Sequence, residues 1–132
     1  MSRFTNALGL DVGERRIGIA RVNSIAQIAE PLVVLINDSY FRNKLEALIA
    51  QYSIDIIVVG LPRNMQGEKT KQTESVEKFV NNNLNAIGVP IIFQDETLST
   101  VVAKSKSNLP KDMEDAVAAG VILDYFINEQ KI

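Results

Sequence analysis

The chain of 132 residues contains no histidine, no cysteine and no tryptophan. Without cysteine there is no disulfide framework or thiolate redox site. Without histidine as well, there is no Ser-His-Asp or Cys-His nucleophile and no ordinary structural zinc site. The side chains left for chemistry are carboxylates, lysine, serine, threonine and tyrosine. A reaction at neutral pH would most simply use carboxylates that hold Mg²⁺ or Mn²⁺, because such a cation activates water.

Long apolar runs are also missing. No run approaches the roughly 20 residues that cross a bilayer, and no N-terminal stretch has the form of a signal peptide, so we expect a cytoplasmic protein with no membrane partner. Aromatic residues make up only 6%, but the 46% of hydrophobic residues suffice for an aliphatic core, and the length predicts a single domain over residues 1–132. The net charge of −2 argues at face value against nucleic acid as a partner.

The order of apolar segments predicts an α/β fold. Short β-branched runs indicate strands, whereas apolar residues at a spacing of three and four indicate helices. The order is βββαβαβα followed by a further helix, which implies a mixed five-stranded sheet flanked by helices. The strands are expected at 7–12, 17–22, 31–36, 54–59 and 89–93, and the helices at 40–52, around 76–84, in a short segment from Ser99, and at 113–128.

Four acidic residues stand at the predicted ends of these elements. Asp11 closes the first strand, Asp95 and Glu96 follow the fifth, and Asp115 lies in the first turn of the last helix. Each has an ordinary structural alternative: a turn before Gly13, the start of a solvated loop, or a partner for the helix dipole. Together they can converge on one edge of the sheet. Carboxylates within about 4 Å of one another repel unless cations bridge them, which is the arrangement of a two-metal site.

The basic residues cluster near these acids in sequence. The segment 60–67 joins a buried strand to a helix and could present backbone N–H groups to an anion, although a plain connection explains it equally well. If the four acids are set aside as metal ligands, 14 positive charges face 12 other negative charges, a balance of +2. Solvated surface charge remains the alternative for every cation. Eight of the 14 cations flank the four acids in sequence: Arg15, Arg16, Arg63, Lys69, Lys71, Lys104, Lys106 and Lys111.

Four blocks of sequence between residues 8 and 126 carry a recognisable pattern. They are LGLDVG at 8–13 with RIGIA at 16–20, VVGLP at 58–62 with Asn64, Met65 and Gly67, DE at 95–96 with LST at 98–100, and Asp115 with AA at 118–119 and IL at 122–123. In this order they resemble the YqgF/RuvX family. That family is described as Holliday junction resolvases and as nucleases that complete the 5′-end processing of pre-16S rRNA.

The resemblance implies an RNase H-like fold and a phosphodiesterase site that uses Mg²⁺ or Mn²⁺. By position, Asp11, Glu96 and Asp115 match the catalytic and metal-binding acids, with Asp95 as a substitute for Glu96 or an addition to it. The implied partners are pre-rRNA or branched DNA and ribosomal particles, bound by a monomer or a weak homodimer. The residues expected to contact nucleic acid are Arg15, Arg16, Arg63, Asn64, Lys69, Lys104 and Lys106.

The chain also departs from the family pattern. Gln66 stands where the loop usually has Asp, Thr97 stands where the Asp-Glu pair is usually followed by Arg, and the segment 104–113 is short. These departures leave open a noncatalytic RNA- or ribosome-binding module on the same fold. An ATPase of the actin and hexokinase type shares the Asp-x-Gly hairpin, but its two-domain architecture does not fit 132 residues.

Overall fold

The computed structural model describes residues 4–97 and 111–130. These residues form a five-stranded sheet with helices on both faces. The predicted helix from Ser99 lies outside the described residues. The strands are β1 (Asn6–Val12), β2 (Arg16–Asn23), β3 (Glu30–Ile36), β4 (Ile56–Arg63) and β5 (Ile91–Thr97), and the helices are α1 (Phe41–Gln51), α2 (Lys71–Asn83) and α3 (Glu114–Gln130), which follows a 3-10 turn at Lys111–Met113.

The sheet has the order β3-β2-β1-β4-β5, with β1 at its centre. The first three strands pair antiparallel as a meander, whereas β4 runs parallel to β1 and β5 runs parallel to β4. The predicted mixed α/β sheet is therefore confirmed. Because β1 lies between a hairpin partner and a parallel partner, its residues are flanked by backbone on both sides.

Two predicted strand ends were wrong. We expected β4 to stop at Gly60 and β5 to stop at Phe93, but the two strands continue together to Arg63 and Thr97. Their extra residues pair with each other, Gly60 with Gln94 and Pro62 with Glu96. The strand ladder thus satisfies backbone groups beyond the point at which the apolar pattern ends, and it places Glu96 inside a strand.

Alternation along the strands divides the side chains between two cores. In β1, Leu8 and Leu10 face α1 and α2, whereas Ala7 packs on the opposite side with residues of α3. Since successive strand residues point to opposite faces, Asp11 lies on the α3 side with Ala7. Within the described ranges, no helix combines the length and apolar composition needed to cross a membrane.

Arg42 connects the two helices on the other face. Its guanidinium donates hydrogen bonds to the carbonyl oxygens of Asn83 (3.2 Å), Asn85 (2.6 Å) and Ala86 (3.1 Å) at the end of α2. The last carbonyls of a helix have no partner within the helix. One α1 side chain therefore satisfies the α2 terminus and ties the two helices together.

We expect Arg42→Ala to lower the free energy of unfolding by about 1–3 kcal/mol, because hydrogen bonds from a charged donor to backbone carbonyls are lost. Urea denaturation measures the change. Lys44→Ala is the matched control, since it removes the same charge from an exposed position of the same helix. Equal stability of the two variants would contradict this role for Arg42.

Candidate active site

Asp11 stands between two glycines on the α3 side of the sheet. It pairs directly with Gly18 of β2. On its other side, the parallel pairing reaches Leu10 opposite Val59, so Gly60 comes next, alongside Asp11. Neither glycine carries a side chain above the sheet. The Asp11 carboxylate is therefore flanked by two open positions that other groups can occupy.

The start of α3 occupies the position above Gly18. A Cβ atom added there would overlap the backbone carbonyl of Asp115 and crowd the amide nitrogen of Ala116. Helix and sheet backbones are thus in direct contact at this point, which is possible only without a side chain. As a result, Asp115 is brought next to the strand row that contains Asp11.

The Glu96 side chain lies over the second glycine. A Cβ atom on Gly60 would be 3.1 Å from Oε2 of Glu96 and would clash with Ile122 of α3. Glu96 and Asp11 both line one cleft of about 350 Å³. The other lining residues come mainly from the segment after Gly60 and the start of α2: Val12, Gly60, Pro62, Arg63, Asn64, Met65, Thr70 and Gln72.

Asp115 has a cationic partner. Its Oδ2 atom lies 3.3 Å from Nε of Arg16, and the Arg16 side chain is 63% exposed whereas that of Asp115 is 26% exposed. Arg16 begins β2 on the same face as Gly18. Because the guanidinium extends into solvent at the edge of the site, it can also meet an incoming anion.

The three acids converge without forming a ready-made metal cluster. In the parts of the chain that the structure describes, no three acidic side chains are arranged as a group that could hold a metal ion. Asp11 and Glu96 share the cleft, and Asp115 is engaged with Arg16. The arrangement is a two-carboxylate cleft with a third carboxylate at its margin.

Asp95 is not brought to this cleft. As the neighbour of Glu96 in β5, it points to the opposite face of the sheet. There its Oδ1 atom accepts a hydrogen bond from Nε of Arg63 at 3.0 Å. The structure thus separates two adjacent acids that the sequence could not separate, and places Asp95 in an ion pair away from Asp11.

Several predicted nucleic-acid contacts already have partners within the protein. The Asn64 amide closes its own turn, accepting from the backbone N–H groups of Gln66 (3.0 Å) and Glu68 (2.8 Å). Lys69 pairs with Glu77 at 3.2 Å. Arg15 is exposed in the turn between β1 and β2, next to Arg16. Lys104 and Lys106 lie outside the described residues.

The residues that sequence reasoning passed over are Gly18 and Gly60. Both were read as parts of apolar runs or as a strand end. A glycine inside a strand pattern often marks a close backbone approach, so a signal was present. What approaches each glycine depends on α3 and β5, which lie far away along the chain.

Comparison with known families identifies the family of this chain. A family model described as "RuvX: Holliday junction resolvase" matches residues 5–129. The chain belongs to the RuvX family. Two relatives carry the name "Putative pre-16S rRNA nuclease". The one from Roseiflexus sp. is 36% identical, covering 94% of each chain, and the one from Synechocystis sp. is 32% identical, covering 97% of this chain and 90% of its own.

Solved structures place the RuvX-family chain in a wider fold group. A Thermus thermophilus RuvC in complex with a Holliday junction substrate matches 96% of this chain and 97% of its own, with a TM-score of 0.59 and 12% identity. A Fowlpox virus resolvase in complex with Holliday junction DNA matches 97% of this chain and all of its own, with a TM-score of 0.55 and 10% identity. At such identities the likeness shows the fold, and the RNase H-like prediction is confirmed.

The close approach of the α3 backbone to Gly18 in this RuvX-family chain can be tested with Gly18→Ala. We expect a loss of at least about 2 kcal/mol in the free energy of unfolding, because the added methyl meets backbone atoms that cannot rotate away. Urea denaturation measures it.

Gly120→Ala is the matched control within α3. A Cβ atom there would lie 3.8 Å from Cβ of Ala29, an ordinary contact. Alanine also favours the helix by up to about 1 kcal/mol over glycine. If both variants kept the stability of the wild type, the close approach at Gly18 would not be a constraint.

Proposed function

We propose that this chain is a divalent-metal-dependent phosphodiesterase that processes RNA, with the 5′ end of pre-16S rRNA as its substrate and branched DNA as a second candidate. The observation that carries the proposal is the cleft shared by Asp11 and Glu96, with Asp115 held beside it by α3. The names of the relatives support RNA as the substrate, and the resolvase-like fold supports the chemistry.

The donor set fits a hard cation. Magnesium takes oxygen ligands, commonly one or two protein carboxylates, and leaves its other positions to water and substrate phosphate. Asp11 and Glu96 would supply those carboxylates, and the chain has no His or Cys to favour a softer metal. When bound, Mg²⁺ or Mn²⁺ lowers the pKa of water and neutralises charge on the phosphate.

The residues of the chain would divide the remaining tasks. Asp11 is fixed by the central strand, and Glu96 is fixed by the end of β5, so their separation is set by the sheet. Asp115, which lies 3.3 Å from Arg16 at the start of α3, would supply a third carboxylate to the metal site. Arg16, whose side chain is 63% exposed, would bind a phosphate of the substrate strand, a contact that positions the strand without reading its sequence.

The cellular setting follows from the same proposal. A nuclease that trims pre-16S rRNA would work in the cytoplasm on ribosomal particles or on free precursor, as a monomer or a weak homodimer. Phosphate contacts would dominate its affinity, so binding should weaken as salt rises.

If the acids are assigned correctly, substitutions of the neighbouring β5 residues Asp95 and Glu96 should have very different effects on cleavage. Asp11→Asn and Glu96→Gln should each lower metal-dependent cleavage of labelled pre-16S rRNA by at least about 100-fold, because each removes a carboxylate ligand. Asp95→Asn should stay within about fivefold of the wild type, since the Asp95 side chain is 64% exposed, points to the other face and pairs with Arg63.

Product mapping on denaturing gels, with a four-way DNA junction in parallel, measures the rates and identifies the substrate. Wild-type activity in Asp11→Asn would rule out the proposed site. A larger loss in Asp95→Asn than in Glu96→Gln would show that the two acids have been assigned the wrong way round.

Metal binding without nucleic acid tests the Arg16–Asp115 pair separately. We expect Arg16→Gln to tighten Mn²⁺ binding by about two- to fivefold, because it releases Asp115 from an exposed pair and removes a nearby positive charge. Isothermal titration calorimetry measures the affinity.

Arg15→Gln is the matched control, since it removes the same charge from the adjacent position. An equal gain in both variants would show a general charge effect in place of a specific pair. If the wild type bound neither Mg²⁺ nor Mn²⁺ at millimolar concentration, the noncatalytic RNA-binding module would be favoured.

A further inference from the structure

A second cleft adjoins the candidate active site on the α2 side. It has a volume of about 720 Å³ and shares Val12 and Gln72 with the first cleft. The size falls within the roughly 300–1,000 Å³ typical of sites for small ligands. We call it the α2 groove, and its other lining residues include Glu14, Lys71, Ser75, Val76, Lys78 and Phe79.

One stripe of α2 forms the polar wall of the groove. Lys71, Ser75, Lys78 and Asn82 recur at intervals of four, three and four residues, which places them on one helix face. All four line the groove, and among the described residues Glu14 is the acidic one that lines it. From this part of the chain the groove therefore presents two ammonium groups, a hydroxyl and amides beside the Glu14 carboxylate.

The two lysines are available to an external anion. Within residues 4–97 and 111–130, the ion pairs engage Arg16, Arg21, Arg42, Arg63 and Lys69, and neither Lys71 nor Lys78 takes part in one. Lys69, which lies close by in sequence, differs because Glu77 neutralises it. Lys71 and Lys78, like Arg15, thus keep a positive charge outside the ion pairs of the described residues, and both lysines line the groove.

The floor of the groove is aromatic and aliphatic, in contrast to its polar wall. Val12, Val76 and Phe79 line it, and the Phe79 ring is half-buried against the edge of Phe41, with centroids 5.6 Å apart. Cations that follow a backbone, combined with an aromatic ring, are the features with which proteins bind unpaired nucleic acid strands. A double helix keeps its bases stacked inside and cannot use such a floor.

We propose that the α2 groove binds the single-stranded flank of the nucleic acid whose phosphodiester bond lies in the cleft of Asp11 and Glu96. Phosphates of the flank meet Lys71 and Lys78, and a base lies against the apolar floor beside Phe79. The inference rests on the proposed nuclease function and adds to it a substrate requirement: unpaired nucleotides next to the bond that is cut.

Binding in EDTA tests the groove apart from catalysis. The probe is a fluorescent single-stranded RNA of about 12 nucleotides, compared with a blunt duplex of the same sequence by anisotropy. Lys71→Gln/Lys78→Gln should weaken single-strand binding by about 5- to 20-fold at low salt, and should reduce the slope of log affinity against log salt by about 1.4, the value for two phosphate contacts. Duplex binding should change much less.

Two further variants make the test specific. Lys44→Gln removes a charge from α1 that is also outside the ion pairs of the described residues, and it should change the affinity by less than about twofold. Glu14→Gln removes the carboxylate of the groove and should tighten single-strand binding, which a misfolded protein would not do. Urea denaturation confirms that each variant folds.

The outcomes separate the groove from the nuclease proposal. Unchanged affinity in the double lysine variant, an equal loss with Lys44→Gln, or an equal loss for the blunt duplex would each overturn the groove. A wild type that bound single strands through these lysines, yet cleaved no substrate with Mg²⁺ or Mn²⁺, would overturn the nuclease function and leave the groove in place.

Discussion

The candidate site depends on the close contact between α3 and three glycines of the sheet, Gly9, Gly18 and Gly60. A Cβ atom on Gly9 would come within 2.6 Å of Leu123, and one on Gly18 or Gly60 would meet the Asp115 backbone or Ile122. Protein interiors are too densely packed to absorb such displacements. The helix is therefore seated on backbone atoms, and its first turn is held beside Asp11.

The close packing of α3 on the sheet brings several acidic side chains near one another. Two of the four candidate acids have arginine partners within the protein. Asp11 and Glu96 line one cleft. Asp115 is balanced by Arg16, and Asp95 is turned to the other face and balanced by Arg63. Under the proposed function, Asp11, Glu96 and Asp115 would together hold the cation.

The basic side chains near the cleft also differ in whether they have an acidic partner. Arg63 pairs with Asp95, and Lys69 pairs with Glu77. Lys71 and Lys78 lie outside such pairs and share one helix stripe beside the cleft. Under the proposed function, a chain with a net charge of −2 would bind a polyanion, because the charge around a site matters more at short range than the total.

Local pattern in the sequence was enough to predict the order of the strands and helices and to propose four acids, Asp11, Asp95, Glu96 and Asp115, as candidates, because apolar periodicity and short motifs reside in contiguous residues. It could not distinguish Asp95 from Glu96. That distinction comes from pairing between β4 and β5, which extends both strands beyond their apolar runs and sends neighbouring side chains to opposite faces. The partners of Asn64 and Arg16, and the free lysine stripe of α2, were likewise decided by folding, because each depends on which distant segments the sheet register and the seat of α3 bring into contact.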